Sequence, residues 1–117
     1  MKENAVKDKS FEFSVRIVNM CKYLMSEKKE FIMSKQVFRS GTSIGANICE
    51  ALQGISKADF IAKMSISLKE AAETDYWLRL LHRTGYIDEN MANSIIYDCQ
   101  ELIKMLIAII KKSKDEE

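Results

Sequence analysis

The sequence has no proline and only four glycines among its 117 residues. This scarcity excludes a fold built from Pro/Gly-rich turns. The longest unbroken apolar run is the six residues of Met105–Ile110, far short of the roughly 20 that a membrane helix needs. The amino-terminal residues MKENAVKDKS lack the apolar core of a secretion signal, so we expect a cytoplasmic protein without membrane contact.

Residues that carry chemistry are also scarce. His82 is the only histidine, and the three cysteines, Cys21, Cys49 and Cys99, form no CxxC pair. An odd number of isolated cysteines predicts reduced thiols. The paired Glu-x-x-His motifs of a di-metal site in a helical bundle are missing. We therefore expect no metal and no cofactor.

The charges nearly cancel over the whole chain but not within each half. The net charge is +1. Residues 1–69 hold 12 Lys/Arg against 7 Asp/Glu, a charge of +5, and residues 70–117 hold 6 against 10, a charge of −4. This asymmetry allows a modest basic face, but it excludes a wholly basic nucleic-acid surface.

Four amphipathic segments follow one another with short breaks, at about residues 9–28, 34–53, 56–84 and 88–112. Ser34, Ser56 and Asp88 are the expected N-caps, and Gly54 and Gly85 are expected to end the second and third helices. Short breaks favour antiparallel neighbours. The pattern predicts an all-α fold: a single domain over residues 1–117, folded as an antiparallel up-down-up-down four-helix bundle.

The first segment is apolar on two sides, which a helix on the surface of a bundle does not need. One stripe consists of Phe13, Ile17, Met20, Cys21 and Leu24; a second consists of Phe11, Val15, Val18 and Met25. The third segment is apolar nearly all round between Tyr76 and Leu81. Since one bundle covers one side of each helix, we expect a homo-oligomer.

Two glycines interrupt the second segment at helical spacing. Gly41 and Gly45 resemble a phosphate-binding loop only superficially, because no Lys and Ser/Thr follow and no strand precedes them. Glycine inside a helix costs about 1 kcal/mol relative to alanine. We expect this cost to be offset by packing, because glycine has no side chain and lets another helix approach closely.

A row of polar residues occupies the opposite face of the second segment: Arg39, Ser43, Asn47 and Glu50. Asn and Ser are poor helix formers. The row is either a solvated face or a set of specific contacts to a subunit, a ligand or a helix. On the third segment Glu70, Glu73 and Trp77 form a stripe, which predicts a subunit interface with a basic partner residue or, alternatively, carboxylates of an active site.

Two further sets of residues have competing interpretations. Asp75, Arg79 and His82 share one side of the third segment, either as a buried ion pair with a satisfied histidine or as part of a site between subunits. Lys35, Arg39, Lys57 and Lys63 are either ordinary solubilising charge or phosphate contacts. Repetition around an oligomeric ring would strengthen such contacts.

The segment from Phe38 to Ala51, FRSGTSIGANICEA, resembles the signature of the four-helix-bundle family associated with intervening sequences in bacterial 23S rRNA genes. That signature has Arg, then Ser-Ile-x-Ala-Asn-Ile-x-Glu. The blocks from Phe60 to Thr74, at Trp77-Leu78 and at Gly85-Tyr86 resemble the family as well. The family positions are matched by Arg39, Ser43, Asn47, Glu50, Glu70 and Glu73.

The resemblance implies a ring-shaped homo-oligomer, a pentamer, and a relationship to the accessory protein of diversity-generating retroelements. That relative binds nucleic acid and partners a reverse transcriptase. We therefore expect a non-enzymatic oligomeric bundle that binds RNA or DNA through phosphate contacts at Lys35, Arg39, Lys57 and Lys63. The alternatives are a protein–protein interaction scaffold without nucleic-acid binding and an enzyme with a site between subunits.

Overall fold

The computed structural model describes residues 2–116, and over that range its regular secondary structure is entirely α-helical. The helices are α1 (Lys2–Ser26), α2 (Met33–Leu52), α3 (Lys57–Arg83) and α4 (Glu89–Asp115). The predicted all-α fold with four helices is confirmed. None of these helices, within the described range, combines the length and the apolarity needed to cross a bilayer.

Cross-helix contacts show that neighbouring helices run antiparallel. On α1 and α2, Cys21 donates to the carbonyl of Ser34 at 3.4 Å, whereas Ser10 approaches Gly45. On α2 and α3, Thr74 donates to the hydroxyl of Ser40 and Ser67 to the carbonyl of Ile44. Each helix packs on the next, and α1 packs on α4 to close a bundle of 48 × 21 × 19 Å.

Four of the expected helix boundaries differ in the structure, one of them the end of α1, which lies at Ser26 instead of Lys28. α1 begins at Lys2 instead of Lys9, because Val6 extends the buried stripe by two turns and is fully buried. α2 begins at Met33 with Ile32 at the N-cap, so Ser34 is not the cap. α4 continues to Asp115, three residues beyond the expected Lys112.

The other helix ends follow the expected chemistry with one exception. Ser56 and Asp88 are the N-caps of α3 and α4 and accept the backbone N–H groups of Asp59 and Met91 at 3.0 and 2.8 Å. Gly85 follows α3 with a positive φ of 85°. The exception is α2: Gly54 likewise follows the C-cap, here Gln53, but without a positive φ. Gly54 permits close approach, since a Cβ there would lie 2.7 Å from an Asp59 carboxylate oxygen.

The core is formed by the predicted stripes. Buried apolar side chains from all four helices meet along the axis; the largest are Phe13, Ile17, Leu24, Ile44, Ile48, Met64, Leu78, Leu81, Ile95, Leu102 and Leu106. The bundle of one chain does not cover the second apolar side of α1 or of α3. Phe11 is 65% exposed, Val15 41% and Tyr76 59%. The chain folds with one core and leaves this apolar surface uncovered.

The two glycines of α2 allow α1 to approach closely, as predicted. A Cβ at Gly41 would lie 2.8 Å from Cγ1 of Ile17, and one at Gly45 would lie 3.3 Å from the Ser10 hydroxyl. Both glycines are buried. The propensity lost inside α2 is therefore offset by helix–helix packing.

Candidate functional site

Arg39 is the centre of a charged cluster that joins α2 to α3 within one chain. Its guanidinium donates to Glu70 Oε2 at 3.1 Å and to Glu73 Oε2. The Trp77 indole N–H donates to the same Glu73 oxygen at 2.9 Å. Half of the Arg39 side chain remains exposed. The basic partner of the predicted carboxylate stripe is thus present in the same chain, and the cluster still has a solvent-facing side.

The rest of the polar row on α2 makes local contacts. The Ser43 hydroxyl donates to the Arg39 carbonyl at 2.6 Å, and the Asn47 amide donates to the Ser43 carbonyl at 2.9 Å. Glu50 forms an ion pair with Lys63 across the α2–α3 contact, with Oε1 and Nζ 3.1 Å apart. Ser43 and Asn47 thus bond the backbone of their own helix, whereas Arg39 and Glu50 pair with α3 of the same chain.

The four predicted phosphate-binding cations do not form one patch. Lys35 and Arg39 lie near the start of α2, whereas Lys57 and Lys63 lie at the start of α3. From Lys35 to the end of α2 the helix rises about 26 Å. Arg39 and Lys63 are engaged by carboxylates, while Lys35 and Lys57 are exposed and belong to none of the ion pairs found among residues 2–116. The exposed lysines therefore mark opposite ends of the bundle.

At the Lys35 end, the connection between α1 and α2 presents apolar side chains that sequence analysis missed. Ile32 is 79% exposed, Phe31 50% and Phe38 43%. Lys28, Lys29 and Lys35 are exposed in the same stretch of chain. We call these six residues the α1–α2 tip. The adjacent apolar pair Phe31-Ile32 in a break between helices is the sequence signal that indicates it.

Two depressions follow the outer groove between α1 and α2. The smaller, of about 140 Å³, lies against the tip and is lined by Cys21, Met25, Ser34, Lys35 and Phe38. The larger, of about 510 Å³, lies towards the other end, where Phe11, Thr42, Gly45, Ala46 and Cys49 contribute to its lining. Small side chains on α2 thus open the groove to solvent on the side where α1 is apolar.

The side of α3 that faces α4 holds a surface ion pair, not a buried one. Arg79 donates to Asp75 at 2.8 Å with 59% of its side chain exposed, and Gln100 of α4 donates to the other Asp75 oxygen at 2.9 Å. The hydrogen bond and the charge of Asp75 raise the pKa of Arg79. The prediction that this pair is buried is wrong, because the pair lies at the edge of the α3–α4 contact.

The buried thiols are poor candidates for a nucleophile. Burial, with the charge of Glu30 added, raises the pKa of Cys21 to about 11. Burial, with the charge of Asp75 added, raises the pKa of Cys99 to about 12. Both thiols are neutral at pH 7, whereas the reactive form is the thiolate. They act as small core residues that donate to the Ser34 and Ala71 carbonyls.

Within residues 2–116 the side chains form no cluster of three His, Cys, Asp or Glu that could hold a metal ion. Over the same range, every buried polar side-chain atom of a non-exposed residue has a hydrogen-bond partner. The exposed features of the described residues are the Arg39 cluster, the α1–α2 groove and the α1–α2 tip.

Comparison with known proteins extends over most of the chain. A family model described as "23S rRNA-intervening sequence protein" matches residues 2–108. The chain is also similar to a crystal structure from Bacteroides thetaiotaomicron, of a protein with unknown function from the S23 ribosomal protein family. The two are 63% identical, with a TM-score of 0.94 over 95% of this chain and 99% of that one. No curated protein matches.

Proposed function

The chain belongs to the 23S rRNA-intervening sequence protein family, and from this premise we propose that it is a non-enzymatic, homo-oligomeric bundle that binds nucleic acid through phosphate contacts. The observation that carries the proposal is the presence of exposed lysines at both ends of a bundle whose apolar α1 stripe is uncovered. Self-association would cover the stripe and bring several copies of each lysine together. The three free cysteines would suit a reducing cytoplasm.

Support for self-association comes from surface that one bundle leaves open. Phe11 lines the depression of about 510 Å³, and Val15, one turn further along α1, is exposed as well. An exposed apolar patch of this kind is typical of a protein–protein contact. In the ring-shaped pentamer that the family resemblance implies, the half-exposed Arg39 cluster and the Ser43–Asn47–Glu50 row would also meet a neighbouring subunit.

Phosphate contact is assigned mainly to Lys35 and Lys57. Arg39 and Lys63 are held by Glu70, Glu73 and Glu50, so binding through them requires exchange of a carboxylate for a phosphate. One chain with a net charge of +1 attracts nucleic acid weakly. Repetition in an oligomer raises affinity because each further phosphate contact adds to counterion release.

Binding of a labelled structured RNA, followed by fluorescence anisotropy over a range of salt concentrations, tests the proposal. We expect measurable affinity at low salt, with a logarithmic slope against salt of about −0.9 for each duplex phosphate neutralised. The double variant K35Q/K57Q should bind more weakly and show a shallower slope. K104Q is the matched control, because Lys104 is exposed on the acidic half of the chain.

Two results would contradict binding through phosphate contacts: no binding at low salt, and binding that ignores salt. The first would favour the second candidate, an interaction scaffold without nucleic-acid binding, which the pairing of Arg39 and Lys63 within the chain supports. Its partner would be a protein such as the reverse transcriptase that the family resemblance suggests. Loss of that partner on N47A or E73Q substitution, with oligomerisation retained, would identify the contact surface.

A further inference from the structure

The α1–α2 tip combines exposed rings with lysines in a way that phosphate binding alone does not require. Resting on the nucleic-acid binding proposed above, we propose that this surface binds single-stranded nucleic acid by stacking an unpaired base on Phe38. Nonspecific single-strand sites combine a cationic track with aromatic side chains, because every base has a π-face. The tip provides both within Lys28–Phe38.

The depression beside Phe38 is open to solvent and has a volume of about 140 Å³, so a base that enters it in part remains accessible from outside. Met25 contributes an apolar wall, and Lys35 stands at the same depression. A base seated there would place its own phosphate within reach of the Lys35 ammonium, so the two contacts reinforce each other.

The charge of the tip is complementary to a phosphate chain. Lys28, Lys29 and Lys35 are exposed, and the only exposed carboxylate of the connecting segment is Glu27. The second carboxylate, Glu30, is buried and accepts the Ile32, Met33 and Ser34 amides. Glu30 thereby closes the start of α2 to other anions, so phosphates at the tip are held by lysines.

The geometry favours an unpaired strand over a duplex. Bases inside a duplex are stacked on each other and present only their edges, whereas unpaired bases can be splayed onto aromatic side chains. Phe38 and Phe31 are 43% and 50% exposed, so a splayed base can reach them without any rearrangement of the fold. Double-stranded RNA would use the lysines alone.

Anisotropy tests the site with two labelled RNAs: an unstructured 12-nucleotide strand, and a blunt hairpin whose strands are joined by a polyethylene glycol linker so that it has no unpaired bases. We expect the unpaired strand to bind more tightly than the hairpin. F38A and F38L, which remove the ring, should weaken binding of the unpaired strand by about 5-fold or more and leave the hairpin unchanged. Y97A removes an exposed ring on α4 (63%, against 43% for Phe38) and should change neither. Circular dichroism verifies that each variant folds.

Each other outcome overturns the inference in a distinct way. Equal binding of hairpin and unpaired strand, unaffected by F38A, rejects the stacking site but leaves phosphate binding intact. Failure of both RNAs to bind at low salt rejects the site and the proposed function together. Binding to phosphatidylserine vesicles without binding to either RNA assigns the tip to an anionic lipid surface instead.

Discussion

Glu30 determines where α2 begins. Its carboxylate accepts the backbone N–H groups of Ile32, Met33 and Ser34 at 3.0, 2.9 and 2.7 Å. The first N–H groups of a helix have no partner within the helix, and the helix dipole favours a negative charge beside them. Burial alone would raise the pKa of Glu30, but the hydrogen bonds from these amides outweigh burial and hold the pKa below its ordinary value.

We expect Glu30→Gln to lower the free energy of unfolding at pH 7 by about 1–2 kcal/mol, because a neutral amide accepts these hydrogen bonds more weakly. Since folding lowers the pKa of Glu30, its contribution is complete above the unfolded pKa and is lost as the pH falls through the folded pKa. Urea unfolding at several pH values should therefore show the difference from the parent protein shrinking in acid. E27Q, at an exposed neighbouring position, is the control and should match the parent throughout. Equal stability of E30Q and the parent at pH 7 would contradict this role.

At the residue scale, the sequence places Arg39 in a row on the second helix and Glu70, Glu73 and Trp77 in a separate stripe on the third. The sequence alone cannot show that α2 brings Arg39 onto the α3 stripe of the same chain. Serine is favoured at helix N-caps, which is why the sequence suggests Ser34 as the cap. Its hydroxyl donates instead to the Glu30 carbonyl at 2.8 Å, since a carboxylate four residues earlier satisfies the amides.

At the element scale, the contact of α1 with α2 depends on how much space each glycine leaves. A Cβ at position 41 would lie 2.8–3.0 Å from three carbons of Ile17, which is fully buried and β-branched. Those carbons cannot move without repacking the core. At position 45 the nearest atom is the Ser10 hydroxyl oxygen at 3.3 Å, which needs to shift only slightly.

These distances predict different effects on stability for the same Gly→Ala substitution at the two positions. Gly41→Ala should destabilise the chain by about 1–3 kcal/mol through overpacking, despite the better helix propensity of alanine. Gly45→Ala should be close to neutral, because a gain of up to about 1 kcal/mol in propensity opposes a minor clash. Thermal and urea unfolding of both variants measures the difference. A G41A protein more stable than G45A would show that the helices do not pack as described.

The four helices were predictable because their apolar residues recur at helical spacing, and periodicity is strongest in long helices. The ends were less predictable. Only Val6 marks the first two turns of α1, amid the charged residues of KENAVKDKS, and a single buried residue is a weak signal. Likewise the KKSKD segment of α4 is helical although its residues are nearly all polar.

At the scale of the whole molecule, self-association through the uncovered α1 stripe would gather the separated lysines into two groups. In a ring whose subunits stand side by side with their helices along the ring axis, Lys35 would form a belt at one end and Lys57 a belt at the other, about 26 Å or more apart. A bound strand would follow one belt at a time. The α1–α2 tips, with their exposed rings, would belong to the Lys35 belt.

Self-association is the central claim, because it covers Phe11 and Val15 and multiplies the lysines of a nearly neutral chain. Native mass spectrometry, with sedimentation velocity at several concentrations, tests it most directly. We predict a stable species at about five times the 13.5 kDa of one chain, and its dissociation by charged substitutions such as F11E or V15E, which should leave the helical content intact because both side chains are exposed. A single species of 13.5 kDa at every concentration would contradict the account.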